Sequence, residues 1–145
     1  MLNVGQLENG VVLDHIQAGR SMSIYYDLGL DKLDSSVAII KNARSNKMGK
    51  KDIIKIEGGI DLLDLDILGF IDHNITVNII RDGVIAEKRE LQMPKRLTNI
   101  IKCKNPRCIT SIEQELDHVF ALSEAEGEVY RCIYCGEVSP YKYRR

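Results

Sequence analysis

Ile75-Thr-Val-Asn-Ile-Ile-Arg-Asp82-Gly83-Val84-Ile-Ala-Glu-Lys88 reads as two strands joined by a two-residue turn. Asp-Gly suits a tight hairpin because both central positions of that turn need a positive φ. Upstream, residues 61–70 form a short helix, with Asp61 as its expected cap. Lys51-Asp-Ile-Ile-Lys-Ile-Glu57 is a strand closed by Gly58-Gly59. It follows a polar turn over residues 42–49 and a strand over 36–41. Residues 21–28 read as a helix, with Met22, Tyr25, Tyr26 and Leu28 toward one side, and residues 10–16 as the first strand. The order β-α-β-β-α-β-β predicts an α+β fold. Two helices pack on one face of a mostly antiparallel, ferredoxin-like sheet.

Downstream, Pro94 marks a boundary between units 1–93 and 94–145. The second unit is too small to be secure by core burial alone. All four cysteines lie in it, as Cys103-x4-Cys108 and Cys132-x2-Cys135. Two short-spaced pairs joined by a longer connection match a tetrahedral, all-thiolate zinc site in a small β-rich, ribbon-like module. Gly136 is expected to relieve crowding around the second knuckle. Lys102, Lys104, Arg107 and Arg131 would offset the charge of zinc with four thiolates. Such a site is closed to water, so the metal is expected to be structural. Two disulfides are disfavoured by the absence of an export signal, and a Cys132–Cys135 redox pair by the absence of a surrounding thioredoxin-like βαβ unit.

Composition excludes more than it assigns. Formal net charge is −1, and residues 94–145 carry nine basic against seven acidic side chains, a balance of +2. That is too mild for a phosphate-binding surface, so no nucleic-acid partner is expected. The apolar runs are too short to span a bilayer and no leader is evident, so the expected location is the cytoplasm, without a membrane partner. No phosphate loop, nucleophile elbow or metal-histidine pair occurs, and His15, His73 and His118 are scattered. Lys55, within an apolar strand, either faces solvent beside Asp52 or Glu57, or pairs with Lys88 toward an anionic ligand whose polar groups Asp14 and His15 hold. Spacing does not choose between these.

Gly10-Val-Val-Leu-Asp-His-Ile16, Met48-Gly-Lys-Lys-Asp-Ile-Ile-Lys-Ile-Glu57, Ala86-Glu-Lys88 and Cys103-Lys-Asn-Pro-Arg-Cys108 together resemble the regulatory chain of aspartate carbamoyltransferase, over essentially the whole length. The resemblance implies a non-catalytic subunit of pyrimidine biosynthesis. Its N-terminal domain would bind nucleotide effectors (CTP, ATP or UTP), and its zinc domain would dock on the catalytic chain. Regulatory chains would pair as homodimers. By motif, Asp14, His15, Lys55 and Lys88 match effector-site positions, and Val4, Leu7, Val12, Asn78, Ile80 and Ile85 match positions lining that site. Asn105, Arg107 and Glu137 are the expected contacts to the catalytic chain. Gly83 stands where a bulkier base-contacting residue is familiar.

Overall fold

A computed structural model describes residues 7–124 and 128–139. Five strands, β1 (Gly10–Gln17), β2 (Val37–Ser45), β3 (Gly49–Glu57), β4 (Thr76–Arg81) and β5 (Val84–Glu90), form one sheet in the order β2-β3-β1-β4-β5. Every pairing in it is antiparallel. Helix α1 (Ser21–Asp27) joins β1 to β2, and α2 (Leu65–Ile71) joins β3 to β4. This is the expected ferredoxin-like arrangement with one hairpin strand added. Asp82 and Gly83 take φ of 52° and 80°, as the two-residue turn requires, so the turn geometry accounts for Gly83.

Alternation along the strands decides which face is covered. Val11, Leu13, Ile54, Ile56 and Val77 point to one side and bury with Ile24 and Leu68. Val12, Lys55 and Asn78 therefore occupy the opposite face, which no helix of the described residues covers.

Two local expectations are corrected. Asp61 does not cap α2; it lies in a 3-10 turn, Ile60–Leu62. The cap is Asp64, whose carboxylate accepts from the N–H groups of Asp66 (3.0 Å) and Ile67 (3.2 Å). The polar turn is also shorter than residues 42–49, because β2 runs through Ser45 and β3 begins at Gly49. Backbone pairing to β3 carries Ala43, Arg44 and Ser45 in the ladder despite their polar neighbours.

The C-terminal strands β6 (Arg96–Thr98), β7 (Val119–Glu124) and β8 (Val129–Cys132) form a separate antiparallel sheet, with α3 (Ile109–Ile112) before β7. Its core is small: Leu97, Ile101, Phe120 and Tyr130, completed by Cys103, Cys108 and Cys132. Tyr130 ties the two sheets together. Its ring meets that of Phe70 edge-on at 5.2 Å, and its hydroxyl donates to the Pro94 carbonyl at 2.7 Å.

Candidate functional site

The four sulfurs converge. Cys103 and Cys108 flank the loop before α3, Cys132 ends β8, and Cys135 sits in the turn after it. All four Sγ atoms lie within 4.8 Å of one another. Cys103–Cys135 is 3.6 Å and Cys108–Cys132 is 3.7 Å. A tetrahedron with zinc–sulfur bonds of about 2.3 Å has edges of about 3.8 Å, and a disulfide requires about 2.05 Å. The cluster therefore has the dimensions of a zinc site, and the cysteines are unpaired thiols.

The surroundings prepare those thiols. Burial pushes Cys103 up to about 12, against the N–H of Asn105. The Thr110 hydroxyl, 3.1 Å from Cys108 Sγ, holds Cys108 down to about 7. Four thiols this close do not all ionise unaided, and a divalent cation is the group that makes four thiolates compatible. His118 Nδ1 accepts from the Cys103 N–H at 3.0 Å, which ties that ring to the first ligand's backbone. Sequence spacing pointed to neither Thr110 nor His118; both act through contacts formed only in the folded module. Gly136 is also explained differently than expected. A Cβ there would meet no atom within 4 Å, so crowding is not its reason; its φ of 78° is.

A second constellation lies on the open face of the larger sheet. Val12 sits directly opposite Lys55 on β3 and Asn78 on β4, and Asn78 sits opposite Lys88 on β5. Lys55, Val12, Asn78 and Lys88 thus form one row across four strands. With strands about 4.8 Å apart, it spans about 14 Å. A neighbouring row contains Gly10, Ile80 and Ile85, and the Leu7 side chain covers Gly10. Val4 lies outside the described residues. Asn78 is buried, and its Oδ1 has no hydrogen-bond partner among the described residues.

Asp14 and His15 reach this face through a bulge. The β1–β3 register shifts between Leu13 and Ile16, and His15 has a φ of 61°. Leu13 and Ile16 are both buried in the core, so the extra residue lets two consecutive polar side chains lie between them. The Asp14 carboxylate accepts from the His15 N–H at 2.7 Å and pairs with Lys51 at 2.9 Å. Burial pushes the Asp14 carboxyl up, but Lys51 and the His15 N–H outweigh it and hold its pKa below the ordinary value. His15 Nδ1 lies 3.1 Å from the Thr76 hydroxyl. Sequence reading missed Lys51 and Thr76. The two-residue alternation that links Lys51 to Lys55 was the available signal for the first.

The expected partner contacts fall near the metal loop. Asn105 and Glu137 line a shallow cleft of about 220 Å³ with Lys104, Pro106 and Val138. Arg107 is exposed outside it. Asn105 Oδ1 accepts from the Arg107 N–H at 3.0 Å, which stiffens the loop.

Family models match both parts of the chain. Residues 2–92 match the allosteric domain of the aspartate carbamoyltransferase regulatory chain, and residues 95–142 match its metal binding domain. The chain belongs to the family of aspartate carbamoyltransferase regulatory chains. It is 51% identical over 138 residues to the regulatory chain of Clostridium botulinum, covering 95% of this chain and 94% of that one. The Clostridium acetobutylicum chain is 49% identical, with 95% and 94% covered. The Bifidobacterium longum chain is 40% identical over 136 residues, with 94% and 97% covered. As a regulatory chain it is a non-catalytic subunit, with a cysteine cluster suited to one structural zinc ion. Among the described residues, no helix is long and apolar enough to cross a membrane.

Proposed function

We propose that residues 1–93 bind a nucleoside triphosphate effector, CTP, ATP or UTP, on the open face of the sheet. Residues 94–145 hold zinc at Cys103, Cys108, Cys132 and Cys135 and dock on the catalytic chain of aspartate carbamoyltransferase. The observation that carries the first part is the in-register row from Lys55 to Lys88, with Asn78 Oδ1, buried and without a partner among the described residues, between them. A buried acceptor without a donor is costly unless a ligand supplies one. An amino or hydroxyl group of a nucleotide can do so.

Lys88 takes the triphosphate and Lys55 the sugar side. Asp14 and His15 lie near sugar and phosphate. Val12 and Ile85 pack on the base, beside Leu7 and Ile80. Lys51 balances the Asp14 carboxylate, so that carboxylate accepts a sugar hydroxyl without repelling the phosphates. Regulation then requires unequal affinity for two quaternary states, since equal affinity shifts nothing. The usual coupling is about 1–3 kcal/mol.

Charge-assisted hydrogen bonds contribute about 1.5–3 kcal/mol, so Lys88→Ala is expected to weaken nucleotide binding by about 10- to 100-fold. The activity response of the holoenzyme should disappear while zinc content and assembly stay intact. Calorimetry with CTP and ATP on Lys88→Ala and Lys55→Ala tests this. Wild-type affinity in both variants would mean these lysines are solvated strand residues.

The docking surface combines Asn105, Arg107 and Glu137 with exposed apolar side chains, Ile109, Ile112, Ile133, Tyr134 and Val138. An apolar patch rimmed by polar groups is what a protein interface needs. The N-terminal unit carries a second contact, a homodimer with another regulatory chain.

A further inference from the structure

The four sulfurs meet at one centre, but the chain holds them unequally. Cys103, Cys108 and Cys132 are packed into the core of the module with Leu97, Phe120 and Tyr130. Cys135 is exposed and stands outside that core. It lies in the turn after β8, where residues 133–138 are all exposed. Two backbone bonds close this turn at its base, from the Gly136 N–H to the Cys132 carbonyl and from the Cys132 N–H to the Glu137 carbonyl, each 2.9 Å. The tip that carries Cys135 can therefore shift without displacing a buried side chain.

Cys108 is the opposite case. It directly precedes α3, its N–H donates to the Asn105 carbonyl at 3.1 Å, and its carbonyl accepts from the Ser111 N–H at 2.9 Å. The Ser111 hydroxyl donates to the same Asn105 carbonyl at 2.7 Å, which closes the loop around this ligand. Behind the sulfur stands Thr110, only 2% exposed, with its hydroxyl 3.1 Å from Cys108 Sγ. An ionised sulfur has no proton to give, so the hydroxyl is the donor. Hydrogen bonds to an ionised acceptor are stronger than neutral ones, and the Thr110 N–H adds a second to the same sulfur.

We propose that the four ligands let go in a fixed order, with Cys135 first and Cys108 last, and that Thr110 is the positioning residue that holds Cys108. The inference rests on the zinc reading above and adds an order to it. A sulfur that leaves the metal must be resolvated. Cys135 meets water at once, whereas Cys103, Cys108 or Cys132 would leave an unpaired charge in the core. Release at Cys135 opens the site to a competing thiol or chelator while the module stays folded. Release at Cys108 breaks the Thr110 contacts as well and dismantles the core.

A limiting pulse of iodoacetamide on the intact, zinc-loaded chain tests this, with the singly labelled molecules mapped by mass spectrometry. Cys135 should carry most of the first label and Cys108 the least. Removing a hydrogen-bond partner behind a ligand costs about 10- to 100-fold in metal affinity. Thr110→Val should therefore raise the share of first label on Cys108 by about tenfold, and speed zinc transfer to a chromophoric chelator by a similar factor. Thr110→Ser, which keeps the hydroxyl, should restore both. Amide protection in β6, β7 and β8 should stay unchanged, so the shift in labelling is not a matter of unfolding. Thr110→Ala gives the same reading if the valine variant does not fold. First labels spread evenly over the four cysteines, or gathered on a buried one, would overturn the order. An unchanged Cys108 share in Thr110→Val, or no rescue by Thr110→Ser, overturns the role of Thr110. A wild-type chain that binds no zinc overturns the zinc reading itself, an outcome distinct from either.

Discussion

Cys108→Ser is expected to lose the zinc ion and unfold the C-terminal module, while the five-stranded sheet stays folded. The core of that module is four apolar side chains plus three of the metal ligands, so the ligands are part of what holds it. Apparent zinc-binding free energies in small zinc peptides are about 10–16 kcal/mol, more than a core of this size supplies. Residues 10–90 bury their own cluster, from Val11 to Val77, and lose only contacts at the junction such as Phe70–Tyr130 and His73–Glu128. Metal analysis should fall from one zinc per chain to none. Amide exchange should become fast between Lys95 and Ser139 and remain slow in β1, β3 and β4. Chelation of the wild-type protein should do the same and release the catalytic chain. A variant that keeps one zinc per chain and a protected module would show that Cys108 is not a ligand.

Asp52→Ala is the second change with a large expected effect, and it acts on the other unit. Asp52 is fully buried on β3, and its carboxylate accepts from the backbone N–H groups of Gly19 (3.0 Å), Ser21 (3.2 Å) and Asn42 (3.0 Å). It supplies the cap for α1 that Arg20 does not, and it stabilises the bulge on β2. Removing it strands three buried or part-buried donors at about 1–3 kcal/mol each, so a loss of at least about 3 kcal/mol is expected. Burial pushes the Asp52 carboxyl up, but the hydrogen bonds from Ser21, Asn42 and Gly19 outweigh it and hold its pKa below the ordinary 3.8. With the folded value depressed, the unfolded chain binds the proton first as pH falls. The stabilisation is therefore full above the unfolded pKa of 3.8 and lost as pH drops through the lower, folded value. Urea unfolding between pH 3 and pH 7 should show the wild-type advantage over Asp52→Ala shrinking at the acid end. Equal stability of the two proteins at pH 7 would refute this role.

Much of the fold was legible because its signals are local. The Asp82-Gly83 turn, the alternation in residues 51–57 and the two cysteine pairs each depend on neighbours in sequence, and they dictated the element order and the metal cluster. Lys55 and Lys88 were candidates from resemblance, with a solvent-facing alternative that spacing left open. What spacing cannot carry is register between strands. The row that sets Lys55, Val12, Asn78 and Lys88 side by side depends on pairings up to 66 residues apart along the chain, from Val12 to Asn78. The helix cap moved from Asp61 to Asp64 because capping is set by which carboxylate meets free N–H groups after the chain turns, and both residues read alike. Asp52 looked like a surface partner for Lys55, yet it points into the core, because alternation assigns a face but not which face is covered. The β1 bulge was invisible for the same reason. His15 adopts its left-handed backbone where Ile16 must return to the core, a demand made by packing across the sheet rather than by the local sequence.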